Sequence, residues 1–257
     1  MISGYPIWVV LLIGCGVFLA SFVDAIGGGG GIISVPSYLL AGIPAHLALG
    51  TNKLSSTLGT IASAARFTKH GFADWGLAIA SIILAIIGGY IGTSLQLMVD
   101  ENILKYLLLL VLPAAAVVLW KQKKLPETKG EMNIWKRRAI VWGASFVLGA
   151  YDGFYGPGTG TFLLLIFCNL AKMDVRTASG NVKLVNLASN IGAVVSSLLA
   201  GKVLIGMGIV TALFSIAGHY LGAGLTIKNG SKIVRPVILI VIGLLAVKVI
   251  TELAGLA

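Results

Sequence analysis

Long apolar runs make up most of this 257-residue chain, and short polar or glycine-rich stretches separate them. The runs of the first half predict helices at residues 7–23, 32–41, 45–67, 75–99 and 103–120. Those of the second half predict helices at residues 139–151, 161–170, 178–199, 206–227 and 234–253. Several of these runs are long enough to cross an apolar layer of roughly 30 Å. The pattern therefore predicts an all-α polytopic membrane protein with about eight to ten membrane segments.

Composition agrees with a chain whose main partner is the lipid bilayer. Hydrophobic residues make up 57% of the chain and charged residues only 11%, whereas a soluble domain carries about 25% charged residues. The net charge of +10 could indicate nucleic-acid binding, but in a membrane protein it is more typical of basic cytoplasmic loops. We therefore predict no nucleic-acid partner.

The two halves of the sequence match each other in one register, which indicates a duplication. With a shift of 128 residues, Asp24 meets Asp152. After an insertion of two residues, GTNKL at residues 50–54 meets GNVKL at residues 180–184. The chain is accordingly divided into an N-terminal repeat at residues 1–120, a linker at 121–138 and a C-terminal repeat at 139–257.

The charge of the loops predicts that the second repeat is inverted relative to the first. The linker carries seven basic and two acidic residues, so we expect it to be cytoplasmic. The loop at residues 100–101 is acidic, whereas its counterpart at residues 228–235 carries three basic residues. Opposite orientation requires an odd number of crossings in each half. We expect a broken-helix hairpin and three spanning helices in each repeat, with both termini outside.

Each repeat contains a glycine-rich break at or shortly after an aspartate. Asp24 precedes five consecutive glycines, and Asp152 begins the segment DGFYGPGTG. Helices that start after such breaks direct free N–H groups and a positive dipole end at one region, which favours an anion. The alternative is that the glycines only allow close packing. The residues of the breaks that we predict to bind substrate are Gly28, Gly29, Gly30, Gly31, Gly156, Gly158, Thr159 and Gly160.

Two lysines lie near the middle of predicted membrane helices, at matching repeat positions. Lys53 and Lys183 both stand well inside their predicted helices, where a buried charge is costly and usually functional. Polar residues share or neighbour the same helix faces, and we include them in the predicted site: Asn52, Ser56, Asn186 and Asn190. In a structural alternative, these lysines only neutralise Asp24 and Asp152. The aspartates could cap the free N–H groups or take up a proton during transport.

A second pair of matching segments is GGYIG at residues 88–92 and GHYLG at residues 218–222. Their glycines are typical of close helix packing in membranes. His219 takes the place of Gly89 in this repeat. A lone histidine in a membrane helix is usually a hydrogen-bonded structural residue, and a proton relay is the alternative.

Four motifs together resemble the sulfite exporter TauE/SafE family, also called the toluene-sulfonate uptake permease family. They are VDAIGGGGG at residues 23–31, ALGTNKL at 48–54, YDGFYGPGTGTF at 151–162 and VKLVNLASNIGA at 182–193. The chain looks like the broad bacterial branch of probable membrane transporters. The resemblance implies a two-repeat fold in the bacterial inner membrane. It also implies transport of small anions, often sulfur oxyanions or organosulfonates such as sulfite or sulfoacetate.

The sequence therefore favours a secondary transporter of a small anion, and proton coupling through Asp24 or Asp152 is a further hypothesis. Since no nucleophile–base set or metal-ligand set is evident, we predict neither an enzyme nor a cofactor or metal site. A membrane thiol–disulfide electron carrier is an alternative, but Cys15 and Cys168 do not occupy equivalent repeat positions. A non-transporting scaffold or sensor is another. The oligomeric state, monomer or homodimer, is left open.

Overall fold

The computed structural model of the chain describes residues 1–100 and 125–253. Within these residues it contains nine α-helices: α1 (Ile7–Gly27), α2 (Gly31–Leu39), α3 (Ala45–Lys69), α4 (Trp75–Met98), α5 (Ile134–Phe154), α6 (Thr159–Leu165), α7 (Val175–Leu199), α8 (Ile205–Asn229) and α9 (Ser231–Leu253). One turn of π-helix, Ile166–Leu170, extends α6. The helix predicted at residues 103–120 and the first residues of the linker lie outside the described residues.

In the described part of the chain, four helices are long and apolar enough to cross a membrane: α1, α4, α7 and α8. Their most apolar windows have mean hydropathies of 1.4 to 2.4. On α4 the side chains of Ile79, Ile83 and Leu95 are more than half exposed, as expected for a surface in contact with lipid tails. The prediction of an all-α, multi-pass membrane protein is confirmed.

Both helices that lead into the glycine breaks continue further than the apolar runs predicted. The helix predicted from residue 7 was expected to end at residue 23 and the one predicted from residue 139 at residue 151, but α1 extends to Gly27 and α5 to Phe154. Glycine is a poor helix former, yet tertiary packing overrides its propensity here because Gly27 and Gly153 are buried against other helices. As a result, Asp24 and Asp152 lie in the last turns of helices.

Helix α5 also begins five residues before its predicted start, inside the expected linker. The side chain of Asn133 caps it by accepting a hydrogen bond from the Trp135 backbone N–H at 2.9 Å. Arg137, which is 5% exposed, donates to the carbonyl oxygens of Ala171 and Gly130. Because these carbonyls satisfy the guanidinium, a basic stretch that resembled a linker can form the first turns of a packed helix.

Helices α3 and α7, which carry Lys53 and Lys183, lie antiparallel to each other. Gly50, near the start of α3, packs against the carbonyl oxygen of Lys202, which follows α7. Gly180, near the start of α7, packs in the same way against the carbonyl oxygen of Phe72, which follows α3. Gly50 and Gly180 occupy the same repeat position, and so do Phe72 and Lys202. Each contact is therefore the repeat equivalent of the other. An antiparallel pair of equivalent helices supports the inverted arrangement, which stays a prediction.

The glycines of residues 88–92 and 218–222 are packing glycines, as the sequence predicted. Gly88 on α4 leaves no room for a methyl group beside the carbonyl oxygen of Phe146 on α5. Gly218 on α8 is packed equally closely against the carbonyl oxygen of Phe18 on α1. Small residues thus bring α4 onto α5 and α8 onto α1, so each contact joins a helix of one repeat to a helix of the other.

Candidate functional site

The two glycine breaks meet each other in the interior. A methyl group on Gly28 would collide with the backbone of Gly160 and Thr161. The hydroxyl of Thr161 donates a hydrogen bond to the carbonyl oxygen of Gly27 at 2.8 Å. Gly28 also has a φ angle of 79°, which side chains other than glycine rarely adopt. The breaks therefore bring irregular backbone from both repeats to one place, where protein and not lipid surrounds it.

Two buried ion pairs flank this meeting point, and each joins one repeat to the other. Lys53 Nζ lies 2.8 Å from Asp152 Oδ2. Lys183 Nζ lies 2.6 Å from Asp24 Oδ2. Both lysines are nearly inaccessible, with side chains 8% and 2% exposed respectively. The structural alternative from the sequence, lysines that neutralise the two aspartates, is present in this conformation.

The two ion pairs differ in their remaining partners. Lys53 also donates to Asn190 Oδ1 at 3.0 Å, and the hydroxyl of Ser189 donates to Asp152 at 2.7 Å. Lys183 donates a second hydrogen bond to the backbone oxygen of Asp24 at 2.5 Å. The backbone N–H of Gly30 completes the Asp24 site by donating to Asp24 Oδ1 at 3.2 Å. Asp24 therefore acts as the predicted acceptor for an N–H group of the first break.

A polar cavity of about 50 Å³ lies between the breaks and the α3–α7 pair. Such a volume holds a few water molecules or one small anion. Most residues predicted for the site line it: Asp24, Gly30, Gly31, Asn52, Lys53, Ser56, Asp152, Gly156, Thr159, Gly160, Asn186 and Asn190. Gly28, Gly29, Gly158 and Lys183 do not line it. Gly28 instead packs against the other break, and Lys183 is turned toward Asp24.

The cavity wall includes residues that the sequence analysis did not assign to the site. They are Ala20, Ser21, Ser34, Val35, Leu49, Thr60, Tyr155, Pro157 and His219. His219 is 2% exposed, and its ring nitrogens lie 3.2 Å from the Ser63 hydroxyl and 3.5 Å from the Thr60 hydroxyl. The break in repeat symmetry at His219 was the available signal, since a histidine replaces a packing glycine there.

Two amide side chains at the cavity have unmet hydrogen-bonding capacity. Within the described residues, Asn52 Oδ1 and Asn186 Oδ1 are buried without a partner. A buried polar atom without a partner is costly, and both amides line the cavity. An amide rotates between donor and acceptor presentation at little cost. These side chains can therefore bind water in the cavity or an anion that replaces it.

The two cysteines lie in different environments. Cys15 on α1 is exposed, and Cys168 is buried in the π-helical turn after α6. Both are free thiols, and neither lines the polar cavity. In the described residues there is no group of three or more His, Cys, Asp or Glu side chains that could hold a metal ion.

Comparison with known proteins gives a consistent family relationship. The family described as "Sulfite exporter TauE/SafE" matches residues 12–249. The probable membrane transporter protein ORF9 of Sinorhizobium sp. is 31% identical over 237 residues, which cover 91% of this chain and 90% of that protein. A probable membrane transporter protein of Haemophilus influenzae is 31% identical over 240 residues, 93% of each chain. The Escherichia coli probable membrane transporter protein YfcA is 30% identical over 243 residues, 92% of this chain and 88% of that protein. No solved structure matches the chain significantly.

Proposed function

Because this chain belongs to the sulfite exporter TauE/SafE family of membrane transporters, we propose that its cargo is a small anion. The class that we favour is a sulfur oxyanion or an organosulfonate, such as sulfite or sulfoacetate. The family name and the polar cavity support this class. The anion would bind among Lys53, the amides of Asn52, Asn186 and Asn190, and the backbone of the two breaks.

One observation carries the proposal: a lysine ammonium lies on the wall of a small polar cavity deep in the helix bundle. A charge at this depth is costly unless it has a use or a complete set of partners. Lys53 has Asp152 and Asn190 as partners, and Asn190 itself faces the cavity. An anion entering the cavity can compete with Asp152 for the ammonium, because both would accept charge-assisted hydrogen bonds from it.

The arrangement of the repeats suggests how access alternates. Inverted repeats that meet at broken helices characterise several classes of secondary transporter. Here α4 of the first repeat packs on α5 of the second, and α8 of the second packs on α1 of the first. Rocking of these cross-repeat units about the α3–α7 pair would expose the cavity first to one side of the membrane and then to the other.

We place the protein in the bacterial inner membrane, with the linker in the cytoplasm and both termini outside. The experiment uses cysteines introduced at exposed positions, Thr128→Cys in the linker and Lys202→Cys in the loop after α7. Each is made in a chain whose two native cysteines are replaced by alanine. A membrane-impermeant maleimide is expected to label Lys202→Cys in intact spheroplasts but Thr128→Cys only after permeabilisation. The opposite labelling pattern would reverse the orientation.

Transport itself is tested with purified protein in liposomes, using sulfite, thiosulfate, sulfoacetate and acetate as cargo. We expect flux of at least one sulfur anion and little flux of acetate. Lys53→Gln should weaken the apparent affinity for the transported sulfur anion about 10–100-fold, because a hydrogen bond to a charged group contributes about 1.5–3 kcal/mol. Lys202→Gln, which changes an exposed lysine, should leave affinity unchanged. The absence of flux for every anion in folded protein would contradict the proposed cargo.

A further inference from the structure

The cavity is charge-balanced before any anion enters. The ammonium groups of Lys53 and Lys183 face the carboxylates of Asp152 and Asp24 in two close pairs. An anion that binds Lys53 brings a negative charge beside Asp152 in a site with little water. Two like charges sharing one buried cation are strongly unfavourable. A proton on a neighbouring carboxylate removes this repulsion, so the question is which carboxylate can accept one.

The hydrogen-bond partners of Asp24 favour the ionised carboxylate. Within the described residues, its side-chain partners are the Lys183 ammonium and the Gly30 backbone N–H. Both of these groups are donors without an accepting lone pair. Neither partner could accept a hydrogen bond from a protonated Asp24. Lys183 also lies off the cavity wall, so an entering anion does not draw it away from Asp24.

The surroundings of Asp152 suit both protonation states. Its partner Ser189 carries a hydroxyl, which can donate a hydrogen bond or accept one. Ser189 Oγ lies 2.7 Å from Asp152 Oδ2 and 3.1 Å from the carbonyl oxygen of Asn186. When Asp152 is ionised, the hydroxyl donates to the carboxylate. When Asp152 is protonated, the hydroxyl can donate to the Asn186 carbonyl and accept the carboxyl proton.

We infer, on the basis of the proposed function, that Asp152 and not Asp24 takes up one proton for each anion that binds Lys53. Ser189 is the positioning residue, because its hydroxyl reverses its hydrogen bond when the proton arrives. The proton comes from the aqueous phase to which the cavity is open, and it forms the O–H bond of the carboxyl group. Asn190 continues to accept from Lys53, so the ammonium stays at the cavity while it exchanges Asp152 for the anion.

The groups that face Asp152 allow this assignment. Lys53 on α3 is the charged group in contact with it. The side chains near it from other elements are uncharged: Ser189 of α7 bonds to Asp152, Asn190 of α7 bonds to Lys53, and Thr93 of α4 bonds to the backbone oxygen of Gly153. Tyr151 precedes Asp152 in α5 itself. Asp24 and His219 also line the cavity. The repeat position of Ser189 is Gly59 in the first half, so the reversible hydroxyl accompanies Asp152 alone.

The test measures flux in proteoliposomes loaded with thiosulfate or sulfoacetate, since neither anion takes up a proton near neutral pH. For each variant, the rate of uptake driven by a pH gradient is divided by the rate of anion exchange measured with equal pH on both sides. The wild type should show gradient-driven uptake with co-movement of protons. Asp152→Asn, which resembles the protonated side chain, should lower this ratio at least tenfold. Gradient-driven accumulation by Asp152→Asn would overturn the inference.

If Asp152→Asn shows no anion exchange, a second variant still tests the inference. Ser189→Ala removes the reversible hydroxyl, and we expect it to move the pH profile of uptake by at least one pH unit. Ser196→Ala on the same helix removes a buried hydroxyl that pairs with Ser94, and its profile should match the wild type. An unchanged profile for Ser189→Ala would overturn the inference. Anion flux without any proton movement would overturn it while leaving the proposed function intact, whereas no flux of any anion would remove both.

Discussion

Replacing Lys183 by methionine is expected to cost about 3–5 kcal/mol of the free energy of unfolding, the usual effect of breaking a buried ion pair. The ammonium is 2% exposed and donates to both the carboxylate and the backbone oxygen of Asp24. Methionine fills a similar volume but leaves the carboxylate buried without a cation. Unfolding of the solubilised protein by sodium dodecyl sulfate measures the change.

Two further variants separate charge from packing in this prediction. Lys183→Met combined with Asp24→Asn should recover most of the loss, because replacing both members of a buried pair by neutral groups is often close to neutral. Asparagine can still accept the hydrogen bond from the Gly30 N–H. Lys202→Met at an exposed position should change stability by less than about 0.5 kcal/mol. If the double variant is as unstable as the single one, the loss reflects packing and not the unpaired carboxylate.

Replacing Gly28 by alanine should cost about 4 kcal/mol and abolish transport. Two effects add at this position. The backbone conformation of Gly28, with φ 79° and ψ 178°, is nearly restricted to glycine and costs about 1–3 kcal/mol for other residues. The new methyl group would also collide with the backbone of Gly160 and Thr161, and overpacking costs about 1–3 kcal/mol. Unfolding and anion flux in liposomes are the two measurements.

Gly42→Ala is the matched control for this change. Gly42 has a φ of 77°, but no described atom lies within 4 Å of a methyl group built there. The control therefore includes strain from a positive φ without the collision, and we expect a loss of about 1–2 kcal/mol with transport retained. Equal losses in both variants would mean that the contact between the two breaks contributes nothing to stability.

The sequence predicted the order of the helices and the positions of both breaks because these depend on local chemistry. Apolar runs of sufficient length give helices, and the glycines after Asp24 and within residues 152–160 interrupt them. The ends of the helices were less predictable. Asn133 and the carbonyl partners of Arg137 extend α5 into the basic stretch, and those carbonyl partners include one far along the chain.

The partners within the site could not be read from the sequence, because they depend on how the repeats cross. The spacing of polar residues on α7 indicated that Lys183 and Asn190 lie on one face of the helix. In the structure, Asn190 accepts a hydrogen bond from Lys53 of another helix. Ser189 follows Asn186 by one turn of α7, but its contact with Asp152 depends on the packing of α5 on α7. Sequence spacing describes the face of one helix, whereas these contacts join different helices.

Each ion pair joins a residue of one repeat to a residue of the other, and this has a consequence for the insertion of the protein into the membrane during synthesis. When the first repeat leaves the ribosome, Lys53 and Asp24 enter the membrane before the residues that neutralise them have been synthesised. Each half is thus an incomplete insertion product whose buried charges are matched only when the other half arrives. A single ancestral repeat with this aspartate and lysine would meet the same requirement by pairing with an antiparallel copy of itself, so gene fusion would preserve the contacts of such a dimer.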